Sequence, residues 1–119
     1  MLPMALQILI VDDEAIVREI LSRQLKAWGH EVILAASAEE ALTLLEKEEA
    51  DAVLLDNVLP GMTGLQALAE VRKRSRAAVI LMTGHFDTEF EKDALLLGAA
   101  AVLAKPLDAE ALRRTLESL

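Results

Sequence analysis

Asp12 and Asp13 are adjacent acids followed by Glu14, while Asp56, Thr83 and Lys105-Pro106 stand apart further along the chain. Carboxylates brought together repel one another and stay ionised cheaply only when a cation sits among them. A hard divalent ion suits such oxygens, and Mg²⁺ typically takes one or two carboxylates plus water and phosphate oxygens. A carboxylate is also a nucleophile toward phosphorus, giving an acyl phosphate. Phosphoryl transfer needs its equatorial oxygens neutralised and its groups in line. Mg²⁺ and the Lys105 ammonium could supply the neutralisation, and the Thr83 hydroxyl could bond a remaining oxygen. Pro106 biases Lys105 toward extended backbone, and the Lys105–Pro106 bond is open to either isomer, trans being commoner. Singly, each residue has a plainer reading. The acids would be a solvated helix start, Asp56 a loop residue, Thr83 a backbone cap and Lys105 a surface lysine.

These residues can act together only if the intervening chain gathers them. Short apolar runs alternate with helical patterns throughout. Gln7–Val11 reads as a buried strand. Glu14–Ala27 is an amphipathic helix, with Ile16, Val17, Ile20, Leu21 and Leu25 near helical spacing. Gly29 suits the left-handed position that ends it. Glu31–Ala35 is a second strand. Ser37 and Glu40 form a capping-box pattern opening a helix to about Glu48. Ala52–Leu55 is a third strand running into Asp56, Pro60-Gly61 a loop, and Gly64–Arg74 a third helix. Ala78–Met82 is the fourth strand. Thr88 and Glu91 give a second capping-box pattern, for a helix that Gly98 ends. Ala101–Ala104 is the fifth strand, and Asp108 caps a last helix.

The strands are continuous apolar runs, as in a parallel sheet covered on both faces. Strict alternation of strand and helix gives an α/β, doubly wound five-stranded parallel sheet with right-handed crossovers. In such sheets chemistry lies at the carboxyl ends of the strands. The acid pair, Asp56, Thr83 and Lys105 each follow a different strand, and that conjunction is what carries the functional reading.

Composition narrows the rest. The 119 residues suit one domain, 1–119, with 54% hydrophobic and 3% aromatic residues, hence an aliphatic core. The chain has no cysteine, so disulfide frameworks and thiolate zinc sites are excluded. Met1-Leu2-Pro3-Met4 offers no signal peptide, and no run reaches the length of a membrane span, so a cytoplasmic location and no membrane partner are expected. A net charge of −8 disfavours nucleic acid. The basic cluster Arg72-Lys73-Arg74 with Arg76 reads as a solvated helix end.

The chain resembles the receiver domain of two-component response regulators along essentially its whole length. The matching motifs are Ile8-Leu9-Ile10-Val11-Asp12-Asp13-Glu14, Leu54-Leu55-Asp56-Asn57-Val58-Leu59-Pro60-Gly61-Met62-Thr63-Gly64, Leu81-Met82-Thr83-Gly84, and Gly98-Ala99 leading to Lys105-Pro106. The resemblance implies a flavodoxin-like sheet of order 2-1-3-4-5. It implies Asp56 as phosphoacceptor, modified to an aspartylphosphate, and Mg²⁺ bound by Asp13 directly, by Asp12 directly or through water, by Asp56 and by the Val58 carbonyl. Lys105 would pair with Asp56 and then with the phosphoryl group, and Thr83 would turn to that group as the switch. The domain would be no enzyme beyond its own phosphorylation and slow dephosphorylation. The implied partners are a sensor histidine kinase or phosphotransfer protein as donor, an output domain or partner protein for transcription regulation, and a homodimer through helix four, strand five and helix five.

The sequence departs from the family at Val102, where many receivers carry Tyr or Phe, and at Ala101, which is often Asp. Val58 and His85, two residues past Asp56 and Thr83, occupy positions that tune loss of the phosphoryl group; an apolar Val58 should not orient an attacking water. Some of Phe86, Phe90 and Val102 are expected on an exposed patch, and Leu95-Leu96-Leu97 cannot all face inward on one helix. Whether the chain is a stand-alone receiver or part of a longer regulator is left open. The rival readings are a pseudo-receiver that acts without phosphorylation, an aspartyl phosphohydrolase, and a flavin binder. The hydrolases place an Asp-x-Asp pattern after strand one, and a flavin phosphate would be repelled by Asp12-Asp13-Glu14.

Overall fold

A computed structural model describes residues 5–119; the signal-peptide reading of Met1–Met4 lies outside them. The order is β1 (Gln7–Val11), α1 (Ala15–Ala27), β2 (Glu31–Ala35), α2 (Ala38–Lys47), β3 (Ala52–Asp56), β4 (Val58–Leu59), β5 (Met62–Thr63), α3 (Gly64–Arg74), β6 (Ala78–Thr83), α4 (Thr88–Leu96), β7 (Ala101–Ala104) and α5 (Ala109–Glu117). The five long strands form a parallel sheet in the order β2-β1-β3-β6-β7. This is the expected doubly wound, flavodoxin-like order. The labels differ because β4 and β5, unread in the sequence, form a separate antiparallel ribbon. Two-residue strands are too short to leave a hydrophobic period. Gly61, at φ +76, supplies the left-handed conformation its turn needs.

Alternation along each strand sends side chains to two cores. Ile8, Ile10, Leu54, Ile80 and Met82 meet Leu21 and Leu25 of α1 and Leu112 and Leu116 of α5. Leu9, Val11, Val53, Leu55, Val79 and Leu81 meet α2, α3 and α4 through Leu45, Leu68, Val71 and Ala94. Burying each such Leu or Ile is worth about 1.5–3 kcal/mol. Both faces are therefore dry, which explains why the strands read as unbroken apolar runs.

Local signals differ from the sequence reading in detail. Helix α1 starts one residue after Glu14, which is an N-cap without a side-chain bond. The cap of α4 is Asp87, whose Oδ1 accepts from the Phe90 amide at 2.7 Å, so Thr88 is inside the helix and its capping box does not form. Asp is a stronger cap than Thr, and it lies one residue earlier. At α2 Ser37 accepts from the Glu40 amide, but the Glu40 carboxylate reaches the Ala36 amide instead of Ser37. The reciprocal box is Thr63 with Gln66, at the start of α3. Asp108 caps α5 as expected.

One surface expectation changes, and that of an exposed patch from some of Phe86, Phe90 and Val102 is met by Phe86 alone. Ile16 and Ile20 are exposed at 58% and 60%, so the buried face of α1 is narrower than its apolar spacing implied. Val102 is buried and Phe90 packs against the core, so neither belongs to an exposed patch. The exposed apolar residues there are Phe86, Leu95, Leu96 and Leu97, since α4 turns only Ala94 fully inward. The basic cluster is a helix end, as read. Arg74 and Lys73 pair with Glu70, and Arg72 donates to the Ala77 carbonyl.

Candidate functional site: an acidic cleft at the strand ends

Strand register builds the site. Val11 lies beside Leu55, so the next residue of each chain, Asp12 and Asp56, emerge together at the carboxyl edge of adjacent strands. On the other side Asp56 pairs with Met82, one residue before Thr83. Thr83 pairs with Ala104, and the Lys105 amide donates to the Thr83 carbonyl at 2.7 Å. The Lys105–Pro106 peptide is cis. The sheet thus delivers two carboxylates, a hydroxyl and an ammonium to one edge without help from any helix.

Asp12 is fully buried and held at every polar atom. Its amide donates to the Ala35 carbonyl, and its carbonyl accepts from the Arg18 guanidinium at 2.7 Å. Its Oδ1 accepts from the Glu14 amide, and its Oδ2 from Lys105 Nζ at 2.9 Å. Asp13 is exposed, and among the described residues no hydrogen bond or ion pair holds its carboxylate. Asp56 is buried, with Oδ1 3.1 Å from Lys105 Nζ. Oxygens of Asp12, Asp13 and Asp56 lie within 4.8 Å of one another. The structure therefore gathers all five charged or hydroxyl-bearing residues singled out in the sequence. Sequence reasoning missed that Lys105 bridges Asp12 as well as Asp56, and it missed Arg18. The bridge is a product of strand register, which the linear spacing does not display.

The electrostatics follow from this crowding. Burial pushes the Asp56 carboxyl above its ordinary 3.8; the Lys105 hydrogen bond opposes this, and the neighbouring Asp12 charge adds to it. Burial of Lys105 works against its charge, but the hydrogen bonds to Asp12 and Asp56 outweigh burial, and its pKa is raised above 10.5. Three carboxylates crowd together, and only Asp12 and Asp56 share the lysine ammonium. Hard oxygen donors at this separation, with negative charge in excess, fit a small divalent cation.

Thr83 is buried, with Oγ1 accepting from the His85 amide at 3.1 Å, which leaves the hydroxyl hydrogen available to a further acceptor. Val58 is 74% exposed at the rim, and its amide lies 3.5 Å from Asp56 Oδ1, a marginal contact. His85 is exposed. Beside Lys105 an open cleft of about 410 Å³ is lined by Val17, Ile20, Leu21, Met82, Pro106 and Leu107 together with Glu14.

A family model described as the response regulator receiver domain matches residues 8–117. The chain is 37% identical over 113 residues to a probable transcriptional regulator, ycf27, of Cyanophora paradoxa, covering 95% of this chain and 47% of that protein. The chain thus spans about half the length of the curated relatives it matches. A CheY-like receiver domain from Methanospirillum hungatei superposes with a TM-score of 0.88 at 32% identity, over 97% of this chain and 93% of that one. A response regulator from Burkholderia pseudomallei, solved with a phosphorylated aspartic acid, calcium ion and citrate, superposes with a TM-score of 0.85 at 28% identity, over 92% of this chain and 65% of that one. With fold, site and family model in agreement, the chain belongs to the response regulator receiver family: a signalling domain of two-component systems. No helix among the described residues is long and apolar enough to cross a membrane.

Proposed function

We propose that residues 1–119 form a receiver domain that takes a phosphoryl group from a phosphohistidine of a sensor kinase or phosphotransfer protein onto Asp56. The observation that carries this is the joint placement of Asp12, Asp13, Asp56, Thr83 and Lys105 at one strand edge. Asp56 Oδ2 has no protein partner among the described residues and reaches solvent, while Oδ1 is held by Lys105. The free oxygen forms an O–P bond as the donor's N–P bond breaks, and the departing imidazole nitrogen keeps the electron pair. The Burkholderia neighbour's phosphorylated aspartic acid is consistent with this chemistry.

Mg²⁺ is the expected cofactor, held by Asp13 and Asp56, by Asp12 directly or through water, and by the Val58 carbonyl; when bound it neutralises the transferring oxygens. Lys105 offers its ammonium to the phosphoryl group on the side of Asp12. Thr83 turns its hydroxyl to a phosphoryl oxygen and gives up the His85 amide, which couples the site to the segment leading into α4. Val102, buried beneath, repacks where other receivers move an aromatic ring. The exposed Phe86, Leu95, Leu96 and Leu97 beside β7 and α5 are the surface so switched, toward a homodimer, an output domain or a partner protein. The cleft beside Lys105, with exposed Ile20 on its wall, is where the donor approaches Asp56. Transcription regulation is the output suggested by the ycf27 relatives. The excess of acids disfavours direct contact with nucleic acid, and the cytoplasm, where histidine kinases present their phosphohistidine, is the expected location.

The domain is a signalling device and no enzyme beyond its own phosphorylation and slow dephosphorylation. Beryllofluoride titration tests the proposal. Stoichiometric, Mg²⁺-dependent binding that shifts amide resonances of α4 supports it. Binding at no concentration of Mg²⁺ favours the pseudo-receiver reading.

A further inference from the structure

We infer that Arg18 is a positioning residue for the metal-binding half of the site. The β1–α1 turn must present Asp13 to the cleft while Asp12 stays buried; the Asp12 amide and side chain are held by Ala35, Glu14 and Lys105, and the Asp12 carbonyl, the atom that leads into Asp13, is held by Arg18. Glu14 caps α1 without a side-chain hydrogen bond, and the first turn of α1 carries no acid. The amide of Glu14 is taken by Asp12 Oδ1 at 2.9 Å, so the turn leans on Asp12 itself. Arg18 closes the arrangement from one helical turn further on. Long side chains on a helix lie back toward its N-terminus, and Arg18 does so, donating from a guanidinium nitrogen to the Asp12 carbonyl at 2.7 Å. Its own amide is bonded to the Glu14 carbonyl at 3.1 Å. One side chain therefore ties the rigid helix to the backbone atom immediately before Asp13.

The consequence concerns binding of the ion. Asp13 has no partner of its own among the described residues, so its direction is set by the backbone it hangs from. Release of the Asp12 carbonyl frees the peptide joining Asp12 to Asp13, and the ordering of that peptide must then be supplied by the ion. Outer partners of metal ligands commonly govern 10–100-fold in affinity. Charge alone predicts the reverse, because the guanidinium repels a dication and its removal should tighten binding. The two effects have opposite signs, and the geometry points to positioning as the larger.

The inference rests on the reading of Asp12, Asp13 and Asp56 as the Mg²⁺ site. The test is calorimetric titration of the full chain with MgCl₂, comparing wild type, Arg18→Ala, Arg18→Gln, Arg18→Lys and Asp13→Asn, with native folding checked by amide spectra. Arg18→Ala and Arg18→Gln should weaken Mg²⁺ on the order of tenfold, and Arg18→Lys, which can still reach a carbonyl, should recover part of it. At saturating Mg²⁺ the extent of phosphorylation should return to that of wild type. Unchanged or tighter Mg²⁺ binding in Arg18→Gln overturns the inference while leaving the site reading intact. If Arg18→Ala does not fold, the Gln and Lys variants decide. Wild type that binds no Mg²⁺, or binds it equally after Asp13→Asn, overturns the site reading and the inference with it.

Discussion

Lys105 stands marginally closer to Asp12 than to Asp56, its Nζ 2.9 Å from Asp12 Oδ2 and 3.1 Å from Asp56 Oδ1. One ammonium thus restrains two carboxylates that lie side by side on adjacent strands. Its raised pKa means that its contribution is complete at neutral pH and is lost only as pH climbs through that raised value, above 10.5. Lys105→Met would leave both acids without an ammonium. Breaking a fully buried pair costs about 3–5 kcal/mol, and partial exposure of Lys105 reduces this to roughly 2 kcal/mol. Urea unfolding at pH 7 in EDTA should show that loss, and the deficit should narrow toward acid pH as Asp56 protonates. A variant as stable as wild type would mean that the bridge contributes nothing.

The raised Asp56 carboxyl has its own pH signature. Between its ordinary 3.8 and its higher folded value, the folded chain holds more protons at this residue than the unfolded chain. Its contribution to stability therefore falls as pH rises through that interval and stays low at pH 7. Asp56→Asn should be more stable than wild type at pH 7 in EDTA. Mg²⁺ should reverse the order, stabilising wild type by about 2.7 kcal/mol at a hundredfold excess over its dissociation constant, and the variant far less. Thermal melts with and without Mg²⁺ would show this crossing, and parallel responses in the two proteins would contradict it.

The fold was nearly all legible in the sequence, and the reasons are local. Unbroken apolar runs such as Ile8–Val11 and Ala52–Leu55 can only be strands covered on both faces. Gly29 and Gly98 end helices at positive φ, as their positions suggested. Asp12, Asp56, Thr83 and Lys105 were readable as candidates because each ends or directly follows a strand, and Asp13 because it adjoins Asp12. What escaped was information held between elements. The Lys105–Asp12 pair spans 93 positions and exists only through register. The β4–β5 ribbon is too short to show a period. Burial of Val102 and the packing of Phe90 against the core depend on how α4 sits against β7, which the linear pattern does not display. Arg18 had a readable signal, lying one helical turn past Glu14 at the start of α1, but its acceptor is a backbone carbonyl, which no side-chain pattern reveals.

Gly64 marks a close approach that supports the acceptor. A Cβ there would lie 2.6 Å from Asn57 Oδ1 and 2.7 Å from its Cα, and the Gly64 amide donates to the Asn57 carbonyl at 2.8 Å. Asn57 directly follows Asp56. Gly64→Ala must displace that backbone, at a cost of about 1–3 kcal/mol, and should also slow phosphorylation by moving Asp56. Unfolding and acetyl phosphate kinetics on one preparation would check both, and a variant with normal stability and rate would contradict the role.

Val58, exposed at the mouth of the site, carries no group that could orient water toward an acyl phosphate. Val58→Asn introduces one, and loss of the phosphoryl group should accelerate on the order of tenfold, below the roughly 10²–10⁴-fold of an ideally aligned proton-transfer group. Decay of the phosphorylated mass after donor removal measures it; an unaltered decay would show that Val58 does not limit hydrolysis.

The central claim is tested most directly by intact mass after incubation with Mg²⁺ and acetyl phosphate, with wild type and Asp56→Asn side by side. One added phosphoryl group is expected on wild type, absent from Asp56→Asn and absent when the metal is chelated. A folded wild-type chain that gains no mass, or an Asn variant that gains it equally, would contradict it.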